Sequence, residues 1–274
     1  MEDQSESTSS QERTGDLDWS VFAWLMATAV VASVVIVPYL LELMSATGDN
    51  TSAGELIFAI VFERVFLSAL AIGVGLIVCG KLGRATTPLT AVIANDPSAR
   101  NLRSSLLLAL MCGLGVGAVI YLFDPILEAA LMPELPETAR RAEAAAREIS
   151  AWKPLLASFS AGVTEELWFR FCMMTLFVWL GCRLTRHPQP GTSIIWGANF
   201  LAAILFGLLH LTNVIQLEIP ITLLIVLYVV IWNGLSGVVF GWLYWQCGLV
   251  YAMLAHTIAD VVLKVLVPMV ETAT

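Results

Sequence analysis

The chain has 274 residues, of which 58% are hydrophobic and 13% are charged, and its mean hydropathy is +0.81. A water-soluble domain of this composition would expose large apolar patches, so the composition predicts a membrane protein with several spans. The net charge of −8, with no run of basic residues, argues against a nucleic-acid partner.

The first eighteen residues differ in composition from the rest of the chain. They are rich in Ser, Glu and Gln and include six acidic residues, which predicts a disordered acidic tail over 1–18. The tail lacks the basic start of a cleavable signal peptide. We therefore expect the apolar run from about Trp19 to Met44 to remain in the mature protein as the first membrane span.

The second predicted span, about 55–79, carries two adjacent ionisable residues, Glu63 and Arg64, in its middle. Adjacent residues on a helix point in different directions, so each is expected to have its own partner on another helix. A structural ion pair between helices is a better interpretation of these two residues than a catalytic role.

The third predicted span covers about 104–123 and is expected to end at Asp124-Pro125. Three glycines within it indicate close packing against another helix: Gly113, Gly115 and Gly117. The polar segment 133–150 follows, and its Ala, Glu and Arg residues favour a helix. This segment is interpreted either as a helix on the membrane surface or as a solvated connector.

Four further apolar runs are long enough to cross a hydrocarbon core of about 30 Å. They cover about 154–182, 194–217, 219–246 and 248–267. The sequence thus predicts an all-α polytopic membrane bundle of about seven transmembrane helices.

Basic residues in the loops predict the orientation of this bundle. The segments on the same side as the N-terminus contain seven Lys and Arg residues, against four on the other side. This bias predicts a cytoplasmic N-terminus, and the expected location is the plasma membrane of a bacterial cell.

The most unusual stretch is Glu165-Glu166-Leu-Trp-Phe-Arg170, inside the fourth predicted span. Ionisable groups inside a membrane are costly, so they face the bundle interior and usually mark function. Glu166 and Arg170 are four residues apart on a helix and are expected to pair. Glu165 points about 100° away from Glu166, which leaves its carboxylate free to act as a general base.

Two other polar pairs occur at helical spacing on later spans. Phe206 and His210 share one face of the fifth span, and His256 and Asp260 share one face of the seventh. A single His in an apolar helix is more often a hydrogen-bonded packing residue than a ligand. Several ionisable residues at similar depth on the fourth, fifth and seventh spans instead indicate one polar cavity that serves as a functional site.

The three motifs together resemble those of a known family, the CAAX prenyl endopeptidase-like, bacteriocin-processing (CPBP, or Abi) intramembrane proteases. The stretch from Glu165 to Arg170 resembles its EExxxR motif, Phe206-Gly-Leu-Leu-His210 its FxxxH motif, and His256-Thr-Ile-Ala-Asp260 its HxxxN/D motif. The resemblance covers about 155–268. Two positions depart from the pattern, because Phe171 stands where Gly often follows the Arg and Asp260 stands where Asn is usual.

The resemblance implies an all-helical membrane enzyme that cleaves peptide bonds near the membrane surface. It implies that Glu165 and His210 activate water, and that His256 and Asp260 hold the oxyanion or a metal ion. Three further residues are expected to support the site: Glu166, Arg170 and Phe206. The segment 154–270 would then be the catalytic core, and 19–153 would contribute three accessory spans and the connector.

The residues are compatible with a divalent metal such as zinc or with no metal at all. Two imidazoles and one or two carboxylates can bind catalytic zinc, although the HExxH spacing of soluble zinc proteases is absent. The predicted ligand set is Glu165, His210, His256 and Asp260. A carboxylate is a poor donor to an oxyanion, so Asp260 in place of Asn favours metal binding.

Two functions from other classes remain as alternatives. Chains of Glu and His inside membranes also relay protons in transporters, although this sequence has no inverted repeat. A catalytically silent scaffold that binds a membrane partner would retain the same residues. The expected partners are membrane lipids and a peptide or lipidated protein substrate.

Overall fold

The computed structural model describes residues 18–47, 52–82, 102–131 and 136–271. Most of the predicted acidic tail and most of the loop after the second span lie outside these ranges. Within them the chain forms helices and no strand. The helices are α1 (Trp19–Val35), α2 (Val37–Thr47), α3 (Ala53–Lys81), α4 (Leu102–Leu131), α5 (Glu137–Glu148), α6 (Trp152–Thr185), α7 (Thr192–Leu209), α8 (Leu211–Gln216), α9 (Leu223–Cys247) and α10 (Leu249–Glu271).

Seven helical stretches among the described residues are long and apolar enough to cross a membrane. They are formed by α1 with α2, by α3, by α4, by α6, by α7 with α8, by α9 and by α10. The predicted all-α bundle of seven spans is therefore confirmed. The helix α9 continues without a break through Asn233 and Gly234, so it forms one span.

Polar side chains mark where three of the spans begin. The carboxylate of Asp18 accepts hydrogen bonds from the Ser20 and Val21 backbone N–H groups at the start of α1. The Ser20 hydroxyl and the Val21 N–H also lower the pKa of Asp18, because both stabilise its ionised form. Ser52 and Thr222 cap α3 and α9 in the same way.

The helix α6 lies at the centre of the bundle. Half of its most apolar stretch is buried inside the protein, against 17–33% for the other six spans. It packs against α1, α3, α7 and α10. One apolar core cluster joins Leu25 of α1, Ile72 of α3 and Leu167 of α6, so the accessory helices hold the central helix in place.

One predicted helix boundary was wrong, and two predicted spans contain an internal break. The helix α4 continues through Pro125 to Leu131 instead of ending at Asp124. Asp124 instead accepts a hydrogen bond from the Tyr228 hydroxyl of α9 at 2.5 Å, which ties the two helices together. The first predicted span is broken at Ile36, two residues before Pro38, and the fifth is broken at His210.

The polar segment before α6 forms a helix, α5, that packs against α2. Glu137 pairs with Arg140 and Arg141 on its exposed face. These two guanidinium groups, Arg141 more than Arg140, lower the pKa of the Glu137 carboxyl. The segment is therefore a helix docked on the bundle rather than an extended connector.

Two of the three glycines in α4 allow the close packing that was predicted. A Cβ atom at Gly113 would lie 2.5 Å from the Ala255 carbonyl oxygen of α10, and one at Gly117 would lie 2.7 Å from the Val262 Cβ. Gly115 has no such neighbour within 4 Å. The 113 and 117 positions therefore fix how closely α4 approaches α10.

Candidate active site

A small polar cavity lies between α4, α6, α7, α9 and α10. Its volume is about 90 Å³, which is enough for several water molecules. All four predicted active-site residues line it: Glu165, His210, His256 and Asp260. The structure therefore brings together the residues that the three motifs singled out, and it adds α4 and α9 to the predicted walls.

Glu166 forms the buried centre of an ion-pair network beside the cavity. Its Oε1 atom lies 3.1 Å from Arg170 Nη1 and 2.8 Å from His256 Nδ1, and its side chain is fully buried. The predicted pairing of Glu166 with Arg170 is confirmed. The guanidinium carbon of Arg170 also lies 4.5 Å from the centre of the Phe206 ring and 5.8 Å from that of Phe240, at cation–π distances. The two charges therefore pair inside the protein, although Glu166 Oε2 and the Nη1 and Nη2 atoms of Arg170 have no hydrogen-bond partner among the described residues.

Glu165 lies in different surroundings from its neighbour. Its side chain is 15% exposed and lines the cavity, and its Oε2 atom lies 3.7 Å from His256 Nε2. This distance is too long for a direct hydrogen bond, and it is a separation that a bridging water can span. Glu165 is therefore placed to contact a water molecule in the cavity.

A partly buried arginine of α3 reaches the helix that carries Glu165. Arg64 Nη1 donates hydrogen bonds to the hydroxyl oxygens of Ser160 at 2.8 Å and Thr164 at 3.3 Å. The prediction of a partner on another helix is confirmed, but the expected carboxylate partner was wrong, since two hydroxyls take its place. Arg64 also lies near enough to Glu165 to attract its carboxylate electrostatically.

The helix α6 widens into a π-helix over Leu167–Met174, immediately after the two glutamates. Such stretches frequently occur at functional sites, and no pattern in the sequence predicted this one. The Thr175 hydroxyl donates to the Arg170 carbonyl at 3.1 Å and so satisfies a backbone group in the widened turn.

The Phe171 ring fits against α3 at Gly75, where a Cβ atom would lie 2.5 Å from it. A glycine on a neighbouring helix therefore accommodates this departure from the family pattern.

His210 lies at the break between α7 and α8. Its Nδ1 atom is 2.9 Å from the Phe206 carbonyl oxygen, and a carbonyl can only accept a hydrogen bond. Nδ1 therefore carries the proton, and in the neutral ring Nε2 has the free lone pair. The centre of the imidazole lies 4.8 Å from that of the Phe206 ring, which meets it edge-on. This arrangement leaves one nitrogen of His210 able to accept a proton or a hydrogen bond from water.

His256 is held by an aromatic ring that sequence reasoning missed. Phe240 of α9 stacks on the imidazole with ring centres 4.9 Å apart and an angle of 16° between the planes. Asn233 and Ser236, two polar residues in the apolar α9 sequence, also line the cavity. These two residues were the available signal that α9 belongs to the site.

Asp260 shares a helix face with His256, but its carboxylate pairs with a different residue. Its Oδ2 atom lies 2.5 Å from Lys264 Nζ, one turn further along α10. The physical reason is that Glu166 already takes His256 Nδ1, while Lys264 offers Asp260 a full positive charge. The four-residue spacing of Asp260 and Lys264 was visible in the sequence and could have predicted this pair.

The predicted zinc ligands are not gathered as a metal centre. Among the described residues, no group of three or more His, Cys, Asp or Glu side chains has a metal-binding arrangement. Asp260 is paired with Lys264, and the two His rings approach different partners. This geometry does not fit the predicted set of zinc ligands. A zinc cofactor stays a prediction that chelation can test.

Comparison with known proteins supports the predicted resemblance. Residues 147–262 match the model of a family described as type II CAAX prenyl endopeptidase Rce1-like. The match spans less than half of the chain but contains all three motifs. No curated protein and no solved structure matches the chain. At the family level, the match supports a CAAX protease-like hydrolase in a multi-pass membrane protein.

Proposed function

We propose that this protein is an intramembrane endopeptidase that hydrolyses a peptide bond in a membrane-associated or lipidated peptide or protein. One observation carries the proposal. Three carboxylates lie at the site, and Glu166 and Asp260 each pair with a cationic side chain of their own helix, Arg170 and Lys264. Among the described residues, no Lys or Arg lies within ion-pair distance of Glu165. Glu165 is therefore the carboxylate available to accept a proton.

The first step is the activation of water by Glu165 and His210. The Glu165 carboxylate takes a proton from a cavity water while the oxygen of that water attacks the carbonyl carbon of the peptide. The lone pair of His210 Nε2 orients the same water by accepting its other hydrogen. The negative charge passes to the carbonyl oxygen, which produces a tetrahedral intermediate.

The second requirement is a group that stabilises this oxyanion. His256 can supply it, because its Nδ1–H donates to Glu166 and its Nε2 faces the cavity side of Glu165. An imidazole held by a carboxylate can carry a proton on its other nitrogen and donate it to the oxyanion as a hydrogen bond. Glu165 then gives its proton to the leaving amine as the carbon–nitrogen bond breaks. The products are a carboxylic acid, which then ionises to the solvent, and an amine, and water is the only other reactant.

The transporter and scaffold alternatives predict different behaviour in the same preparation. A proton-coupled carrier would move a solute against its gradient in vesicles without cleaving it. A scaffold would bind a membrane partner and release no product. Glu165 is the one of the three carboxylates without a cationic partner on its own helix. The protease mechanism uses this difference, and neither alternative needs it.

Incubation of the purified chain in detergent with a library of prenylated and unprenylated peptides tests the proposal. We expect new peptide termini, identified by mass spectrometry, with ¹⁸O from labelled water in the new carboxyl group. The same incubation with Glu165→Gln protein is the control for a contaminating protease. No cleavage of any peptide by a folded protein, together with gradient-driven uptake in vesicles, would replace the protease by the transporter.

A further inference from the structure

A second cavity, none of whose lining residues belongs to the three motifs, lies where α3 and α6 end. Its volume is about 590 Å³, within the range of roughly 300–1,000 Å³ that is usual for small-molecule sites. It is lined by four basic side chains around one indole ring: Lys81, Arg183, Arg186 and His187 around Trp179. We call this the basic pocket. None of these residues takes part in the proposed hydrolysis.

The positive charges of the basic pocket line one cavity, and among the described residues they have no acidic partner. Lys81 Nζ lies 5.0 Å and the Arg183 guanidinium carbon 5.8 Å from the centre of the same Trp179 ring. Among the described residues, no carboxylate lies within ion-pair distance of either cation. Like charges that line one cavity repel each other, so an anion bound in the cavity would relieve the repulsion.

The backbone at the end of α6 directs a further cation to the pocket. Arg186 has a φ angle of 57°, in the left-handed region where a helix end usually has glycine. The His187 N–H donates to the Cys182 carbonyl at 3.1 Å, which closes the helix end. An arginine in place of glycine costs backbone strain, and it adds a planar donor group to the lining of the pocket. Arginine forks match the oxygen atoms of a phosphate.

The position of the basic pocket relative to the apolar spans identifies the source of the phosphate. Lys81 is the last residue of α3, and Arg183 lies two residues before the end of α6. Tryptophan is enriched at the level of the lipid headgroups, where Trp179 would lie. One turn before each cation, Ile77 and Leu180 expose apolar side chains that can contact acyl chains. We propose that the basic pocket binds the phosphate headgroup of an anionic phospholipid.

Native mass spectrometry of the full chain in detergent, titrated with phosphatidylglycerol or phosphatidylcholine, tests this proposal. We expect the wild type to bind phosphatidylglycerol in preference to phosphatidylcholine. The double variant Lys81→Gln/Arg183→Gln should bind phosphatidylglycerol about tenfold or more weakly, given what each basic side chain contributes near anionic lipid. Its affinity for phosphatidylcholine should not change.

Two further variants separate the site from a general effect of charge. The variant Arg140→Gln/Arg141→Gln removes two exposed cations from α5 and should keep the wild-type lipid preference. The variant Lys81→Arg/Arg183→Lys keeps the charge and should retain the preference as well, even if the neutral double variant folds poorly. An equal loss of phosphatidylglycerol binding in the α5 variant would overturn the assignment.

Competition with a soluble anion distinguishes a lipid headgroup from free phosphate. We expect inorganic phosphate to displace phosphatidylglycerol only weakly, because it lacks the acyl chains that contact Ile77 and Leu180. Tight binding of inorganic phosphate with no preference for anionic lipid would show that the lipid assignment is wrong. Because the double variant leaves the polar cavity unaltered, loss of lipid binding with retained peptide cleavage would separate this proposal from the proposed protease function.

Discussion

Glu165 and Glu166 are adjacent in sequence and carry the same functional group, yet their surroundings divide their roles. Glu166 is enclosed by Arg170 and His256, whereas Glu165 opens onto the polar cavity. A helix turns by about 100° per residue, so one residue step is enough to separate a structural carboxylate from a reactive one. The division depends on Arg170 being present to compensate Glu166.

Removal of Arg170 should therefore damage the fold as well as the activity. We expect Arg170→Ala to lower the free energy of unfolding by about 3–5 kcal/mol, because it leaves the Glu166 charge buried without its cationic partner. The matched control Arg141→Ala breaks an exposed pair with Glu137 and should leave the free energy of unfolding nearly unchanged. Thermal unfolding in detergent measures both. A stable Arg170→Ala protein that lacks only activity would argue for a role of Arg170 in contact with substrate.

Arg64 should matter for activity more than its distance in sequence indicates. We expect Arg64→Met to lower kcat by about tenfold or more, because it removes the two hydrogen bonds that fix α6 next to Glu165 and the positive charge nearby. Arg64→Lys keeps the charge and should recover part of the rate. The neighbouring exposed carboxylate provides the control, since Glu63→Gln should leave kcat unchanged. Wild-type kcat and an unaltered pH profile for Arg64→Met would show that Arg64 serves packing alone.

Asp260 and Lys264 should behave as a coupled pair. We expect Asp260→Asn to lower the free energy of unfolding, and Asp260→Asn/Lys264→Met to recover about 1 kcal/mol of the loss, since contacting residues couple by about 0.5–3 kcal/mol. A double-mutant cycle of thermal unfolding measures this coupling. The effects of the two substitutions on unfolding could instead be strictly additive, with a chelator abolishing activity that added zinc restores. That result would assign Asp260 to a metal site.

At the scale of the helices, small residues decide how closely the site elements approach. Gly162 of α6 faces α10, and a Cβ atom there would collide with the Thr257 hydroxyl and lie 2.9 Å from the Met253 carbonyl oxygen. Thr257 follows His256 directly, so this contact sets the distance between the Glu165 helix and the His256 helix. By contrast, a Cβ atom at Gly115 of α4 would have no neighbour within 4 Å among the described residues.

The substitution Gly162→Ala should displace α10 and separate Glu165 from His256. We expect kcat to fall by about a hundredfold, because a shift of about 1 Å in a catalytic group costs that much. Gly115→Ala gains the same helix propensity without a collision, so its kcat should remain at the wild-type level. Peptide cleavage rates for the two variants measure the difference. Equal rates would show that the bundle relaxes around an added methyl group.

Local spacing predicted much of the fold and part of the site. The apolar runs gave all seven spans, and the four-residue spacing gave the Glu166–Arg170 pair. The hydrogen bonds of Arg64 to Ser160 and Thr164 could not be predicted, because a residue pattern on one helix does not identify the helix packed against it. The π-helix after Glu166 could not be predicted either, because no residue pattern marks it; the Phe171 ring that packs at Gly75 of α3 and the Thr175–Arg170 hydrogen bond are seen only in the structure.

The segment that matches the family model, residues 147–262, is not structurally independent of the helices that precede it. Val163 and Leu167 of α6 share a core cluster with Leu25 and Ile72, and Arg64 reaches the same helix. The accessory spans therefore complete the core around the site. The division of the chain into accessory spans and a catalytic core over 154–270 stays a prediction.

Expression of residues 147–274 without the first three spans should yield an unstable, inactive protein. The reason is that the cluster around Leu167 loses the apolar partners contributed by α1 and α3, which leaves a cavity in the core. Co-expression with residues 1–146 as a separate chain should restore part of the activity, and cleavage of a labelled peptide measures it. Full activity of the isolated segment would show that the accessory spans are dispensable for catalysis.

Peptide hydrolysis by Glu165→Gln protein tests the proposed function most directly. The substitution keeps the shape of the side chain and removes its ability to accept a proton. We predict that kcat falls by about 10²–10⁴-fold, the usual contribution of a general base, while the thermal unfolding midpoint matches that of the wild type. The control Glu63→Gln, an exposed carboxylate of α3, should hydrolyse the peptide at the wild-type rate. Near-wild-type hydrolysis by folded Glu165→Gln protein would contradict the assignment of Glu165 as the base.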